Sequence, residues 1–121
     1  IQGKEMNGTV IGGNVRCLLK LAGTEYFPDC HDRILLLESL SGGRSRITAY
    51  FSQLQQMGVF DQCAGVLLGT FTQLEQENGI DAAPVLLQHF VSDGLPIAKT
   101  QQIGHGADSK AIVIGRRACF C

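Results

Sequence analysis

A carboxylate and an imidazole are the residues of this sequence best placed to do chemistry together. Glu38 follows the continuous apolar run Ile34-Leu35-Leu36-Leu37. That puts an acid at the carboxyl end of a buried-type strand, where open α/β sheets place functional groups. His105 stands in Gly104-His105-Gly106, a stretch with backbone freedom on both sides and no packing reason for a histidine. A histidine oriented by a carboxylate is the base half of a hydrolytic triad. Both residues also admit plainer roles, Glu38 as a solvated strand-end acid and His105 as an exposed loop residue. The nucleophile is the missing part, since Ser39, Ser41, Ser45, Ser52, Ser92 and Ser109 all lie outside any G-x-S-x-G-like sharp turn.

Other chemistries fail at particular residues. Gly8-Thr9-Val10-Ile11-Gly12-Gly13-Asn14 carries the glycine spacing of a phosphate-binding loop. It continues with Asn14 and Val15 where Lys and then Ser or Thr would have to follow, so a close-packed strand-to-helix turn is the better reading. Cys30-His31-Asp32 and His89 have no second ligand pair at metal-binding spacing, and no metal site is expected.

The elements that must position Glu38 and His105 can be read from the punctuation. Three helices each run into a glycine: Asn14 to Ala22 before Gly23, Arg46 to Met57 before Gly58, and Ala82 to Asp93 before Gly94. Asn14, Ser45 and Asp81 are the expected N-caps. Ile47, Tyr50, Phe51, Leu54 and Met57 form the buried stripe of the middle helix. Between the helices lie strand-like runs at Thr9–Ile11, Ile34–Leu37, Val66–Leu68, Leu95–Ala98 and Ala111–Ile114, with a further one at Ala118–Phe120. Ile34–Leu37 and Val66–Leu68 do not alternate, as expected of strands covered on both faces in a parallel sheet. An α/β layered domain occupying residues 1–121 follows, with helix Arg46–Met57 as a βαβ crossover.

Composition narrows the function classes. The charged fraction of 17% beside 45% hydrophobic residues is that of a folding chain, and no apolar run approaches the ~20 residues of a membrane span. A net charge of −1 argues against a nucleic-acid partner, which calls for a basic face. Five cysteines without C-x-x-C spacing read as reduced residues in a reducing compartment. The chain opens at Ile1 without a Met, so an upstream portion is expected to be absent.

Taken in order, these pieces resemble the C-terminal domain of the LD-carboxypeptidases, a serine peptidase family that includes muramoyltetrapeptide carboxypeptidase and the microcin C immunity peptidase. The resemblance rests on Gly8 to Asn14, Leu21-Ala22-Gly23-Thr24-Glu25-Tyr26-Phe27-Pro28-Asp29, Ile34 to Glu38, Gln53-Leu54 with Gly58-Val59-Phe60-Asp61, Ala64 to Gly69, and Ile103-Gly104-His105. It implies a β/β/α layered fold with a partly parallel central sheet and about three helices. It implies His105 as general base and then acid, with Glu38 holding its imidazole; the two stand 67 residues apart (105 − 38). The nucleophilic serine and the oxyanion-hole amides belong to an N-terminal domain absent from this chain, so the chain alone is expected to be inactive. The implied reaction is removal of the terminal D-amino acid from murein tetrapeptides in cytoplasmic cell-wall recycling, without metal or organic cofactor. The expected partners are the murein peptide, the N-terminal domain and a second copy in a homodimer, with no membrane. The alternatives are a peptidase cleaving a peptidyl-nucleotide amide and a non-catalytic binding or dimerisation module.

Overall fold

The computed structural model describes residues 5–105, 112 and 114–120. Along the chain run β1 (Met6–Asn14), α1 (Val15–Leu19), β2 (Ile34–Ser39), α2 (Arg44–Gln56), α3 (Val59–Gln62), β3 (Gly65–Phe71), α4 (Thr72–Asn78), α5 (Ala82–Leu87), β4 (Ile97–Lys99) and β5 (Arg117–Phe120). The strands form one five-stranded sheet in the order β4-β3-β2-β1-β5. The first four strands are mutually parallel, while β5 runs antiparallel to the opening half of β1. The layered α/β class and the α2 crossover expected from the sequence are both present.

Period-two alternation divides the apolar runs between two cores. Leu35, Leu37, Val66 and Leu68 face the helices and pack with Ile47, Phe51, Leu54, Leu74 and Leu87. Ile34, Leu36 and Leu67 point the other way and pack with Met6 and Val10, against which Ala98, Ile103, Ile112, Ala118 and Phe120 rest. The helices contribute to the first core only. The non-alternating runs thus mark strands covered by helices on one face and by returning chain on the other.

Among the described residues five helices replace the expected three; α1 and α5 are shorter than read, while α2 starts two residues earlier and ends one residue sooner than expected. Asn14 caps α1 as expected, its side-chain oxygen accepting from the Cys17 amide at 3.1 Å. Ser45 and Asp81 make no cap bonds: α2 begins at Arg44 behind Gly43, and α5 opens without a side-chain partner. Helix α5 stops at Leu87, and Gly94 lacks the left-handed conformation that Gly23 and Gly58 adopt. Helices α3 and α4 escape a pattern reading because α3 spans only four residues and the polar α4 buries only Leu74. Strand β1 outruns the expected Thr9–Ile11, since Gly12 at φ +104° keeps the chain extended against β2. A Cβ at Gly12 would lie 2.3 Å from the Leu36 carbonyl oxygen. The strand expected at Leu95–Ala98 occupies Ile97–Lys99, and that at Ala118–Phe120 begins one residue earlier. Of the expected strand Ala111–Ile114, residues 111 and 113 lie outside the described residues, while Ile112 and Ile114 are not in a strand.

Candidate active site

At the carboxyl ends of the parallel strands the sheet offers a short row of polar residues. Asn14 of β1 stands level with Glu38 of β2, and β2 and β3 lose register between Leu37 and Ser39. Glu38 shares the face of Ile34 and Leu36, so its carboxylate projects away from the helices, and the residue is 9% exposed. This is not the solvated strand-end acid that its sequence position allowed. Ser39, one residue on, is turned aside, its hydroxyl donating to the Ser41 carbonyl at 2.6 Å. Ser109 lies outside the described residues.

Strand β4 delivers the histidine. Beyond Lys99 the chain continues alongside β3: the Thr100 amide donates to the Leu68 carbonyl at 2.8 Å, and the Thr70 amide donates to the Ile103 carbonyl at 2.7 Å. The His105 amide then donates to the Thr70 hydroxyl oxygen at 3.2 Å. Two glycines permit this approach. A Cβ on Gly69 would meet Ile103 oxygen, and one on Gly104, at φ +131°, would stand 1.9 Å from Thr70 Oγ1.

The result is a close pair. His105 Nδ1 lies 3.0 Å from Glu38 Oε2, with side chains 43% and 12% exposed respectively. That carboxylate oxygen is shut off from solvent, and among the described residues no donor meets it in full hydrogen-bond geometry, the His105 nitrogen lying near it without completing that geometry. Catalytic hydrogen bonds are commonly loose before substrate binds and tighten in the complex. With Nδ1 turned to the carboxylate, the opposite ring nitrogen, Nε2, is left as the proton acceptor.

Behind the pair stands a polar strut that the sequence did not disclose. Lys99 Nζ donates to the Gly69 carbonyl at 2.6 Å and lies 3.4 Å from Glu75 Oε1. The same oxygen of Glu75 accepts from Gln101 Nε2 at 2.7 Å, and its other oxygen accepts from the Phe71 amide. Burial lowers the Lys99 pKa from its ordinary value, with the Glu75 carboxylate opposing that shift. The sequence signal that could have pointed to the strut is a lysine directly after the strand-like run Leu95–Ala98.

The remaining sequence candidates are not drawn into this site. His89 Nδ1 lies 3.1 Å from the Val85 carbonyl at the end of α5. The His31 amide donates to Asp29 in a turn, while Cys30 is buried in the helix-side core. Among the described residues no three His, Cys, Asp or Glu side chains converge as a metal site would require.

Comparison with known proteins agrees with this architecture. The chain is 28% identical over 116 residues to a probable murein peptide carboxypeptidase of Bacillus subtilis, covering 93% of this chain and 36% of that protein. It is 32% identical over 119 residues to the putative carboxypeptidase YocD of the same organism, covering 95% of this chain and 36% of the relative. This chain therefore spans about a third of the length of those relatives. Among solved structures, muramoyltetrapeptide carboxypeptidase from Oxalobacter formigenes superposes with a TM-score of 0.81 at 26% identity, over 96% of this chain and 42% of that one. The microcin C7 self immunity protein MccF superposes at 0.86 over 97% of this chain and 36% of its own; at 21% identity that likeness is one of fold. The sequence model of the LD-carboxypeptidase C-terminal domain matches residues 7–120, nearly the whole chain, and it is to this family that the chain belongs.

Proposed function

We propose that this domain supplies the histidine and glutamate of a Ser-Glu-His triad in a serine-type LD-carboxypeptidase, acting on the amide between an L-centre and the terminal D-residue of a murein tetrapeptide. The observation that carries the reading is the 3.0 Å approach of His105 Nδ1 to the buried carboxylate of Glu38. The serine belongs to the rest of the protein, in a domain preceding this one.

In the proposed reaction His105 Nε2 takes the proton from the serine hydroxyl as its oxygen bonds to the scissile carbonyl carbon. Glu38 accepts from Nδ1–H, fixes the tautomer and stabilises the imidazolium. Nε2–H then passes its proton to the amine of the departing D-amino acid as the C–N bond breaks. Water, deprotonated by the same nitrogen, attacks the acyl carbon and releases the shortened peptide, returning the proton to the serine oxygen. No step requires a metal or an organic cofactor. The buried thiols Cys30 and Cys63 suit a reducing compartment, and we place the reaction in the cytoplasm.

A relative named as a probable murein peptide carboxypeptidase, at 28% identity, and the muramoyltetrapeptide carboxypeptidase structure, at 26%, favour the murein peptide over a peptidyl nucleotide. The test is the intact protein incubated with murein tetrapeptide and, separately, with a serine-directed fluorophosphonate probe. Release of D-alanine together with single-site labelling is expected. A protein that neither labels nor turns over the peptide is a binding module, and the proposal fails.

A further inference from the structure

A histidine between two glycines serves as a base only where its backbone is held, because an imidazole displaced by one ångström loses most of its value as a base. The loop returns across the sheet edge next to β3, and one β3 residue touches it twice. Through its amide Thr70 donates to the Ile103 carbonyl at 2.7 Å. Through its side chain, Oγ1 accepts from the backbone amide of His105 itself at 3.2 Å. The residue is 5% exposed, and among the described residues it is enclosed together with the polar Glu38 and Ser39.

The surrounding residues are shaped around that hydroxyl. Gly104 has no Cβ where one would stand 1.9 Å from Thr70 Oγ1, and its φ of +131° turns the chain so that the next amide points at the oxygen. Gly69 has no Cβ where Ile103 passes. The backbone on either side of Thr70 is also fixed, because Lys99 Nζ holds the Gly69 carbonyl and Glu75 accepts from the Phe71 amide. Three consecutive β3 residues are therefore secured, and the middle one reaches out to the histidine.

We infer that Thr70 is a positioning residue for His105: its hydroxyl fixes the backbone of the catalytic base and so sets the direction of the imidazole between Glu38 and the serine. This rests on the proposed role of His105. Thr70 itself touches neither substrate nor reacting atoms. Its contribution passes through a single amide hydrogen bond and belongs to the chemical step rather than to substrate binding.

The experiment compares Thr70→Val, Thr70→Ala, Thr70→Ser and His105→Ala in the intact protein, with D-alanine release from murein tetrapeptide as the readout and melting temperature as the check on folding. Valine keeps the shape and removes the acceptor, alanine does so without steric demand, and serine keeps the oxygen. The expected result is a fall in kcat of about 10- to 100-fold for valine and alanine with KM within about twofold, and recovery by serine to within about threefold of wild type. If valine and alanine keep wild-type kcat while His105→Ala abolishes turnover, Thr70 does not position the base and the inference is overturned, with the triad intact. A fall in melting temperature with kcat preserved overturns it equally, because that marks a structural role alone. If His105→Ala retains full turnover, the triad reading fails, and the inference with it.

Discussion

The carbonyl oxygen of Ile103 lies 2.5 Å from the point where a Cβ on Gly69 would stand. Loop and strand are therefore closer than any side-chain-bearing residue at Gly69 would allow. The same Cβ would come within 3.1 Å of Glu38 Cβ, so the one missing atom makes room for Glu38 and for the segment at Ile103 that leads to His105. Gly69→Ala should lift the loop off β3 and lower turnover of the intact enzyme by at least about tenfold through misplaced His105. Steady-state kinetics beside a thermal melt checks this. Wild-type kcat in a folded Gly69→Ala protein would contradict it.

Glu38 and His105 should behave as one unit. On the proposed triad, His105→Ala in the intact protein should remove the base and lower kcat by about four to six orders of magnitude, and Glu38→Gln should also be severe, because the imidazole would lose its orienting acceptor. The double variant should be little worse than His105→Ala alone. Strictly additive losses would mean that the 3.0 Å contact is incidental.

The stereochemistry of the leaving residue supplies a third expectation. If the scissile bond joins an L-centre to a terminal D-residue, a peptide ending in L-alanine presents its carbonyl at the wrong angle to nucleophile and amides, and kcat/KM should fall by about 100-fold or more. Parallel assays on the two epimers measure it, and similar efficiencies would refute the assignment.

Phe51 anchors the helix-side core. It is fully buried, with ring centroids 5.9 Å from Phe71 and 6.4 Å from Phe90 in edge-to-face contact. Phe51→Ala should cost about 3 to 5 kcal/mol, read from urea unfolding. A loss below about 1 kcal/mol would show that the core collapses around the gap.

A buried thiol makes stability depend on alkaline pH. Burial foremost, with a contribution from nearby Cys30, pushes the Cys63 pKa from 9.0 up to about 11. An acid with a raised folded pKa keeps its proton in the native state while the unfolded chain gives it up. Its stabilising contribution is therefore complete below pH 9.0 and lost as the pH rises toward about 11. Over that window the wild type should lose about 2 to 3 kcal/mol that Cys63→Ala does not. Equal pH slopes for the two proteins would rule it out.

The sequence disclosed what burial and periodicity encode. Ile34–Leu37 and Val66–Leu68 announced strands covered on two faces, and the stripe from Ile47 to Leu54 announced α2, because each apolar position there answers to a neighbour in the core. Glu38 was legible as an acid closing such a strand. What a pattern could not carry was anything decided at long range. The strut of Lys99, Glu75 and Gln101 joins β4, α4 and the loop. The cap at Ser45 failed because Gly42 and Gly43 start α2 two residues early, with the Ile47 amide bonded to the Gly43 carbonyl. The role of Thr70 is invisible in a sequence for the same reason: its partner is the backbone of a residue remote from it along the chain.

The register of β1 with β5 carries a consequence for the order of folding. Met6 is paired with Phe120 and Thr9 with Arg117, joining opposite ends of the described chain, whereas β2 and β3 are joined through the compact α2–α3 crossover. Closing the longer loop costs more chain entropy and is rewarded by only a four-residue strand whose side chains alternate between exposed and half-buried. The parallel sheet and its helices should therefore assemble first, with β5 docking as a late latch over the second core. Hydrogen exchange would show this as amides of Arg117–Phe120 opening at much lower free energy than those of Ile34–Leu37. The face of the sheet that carries Glu38 would then be the last part of the molecule to be sealed and the first to open.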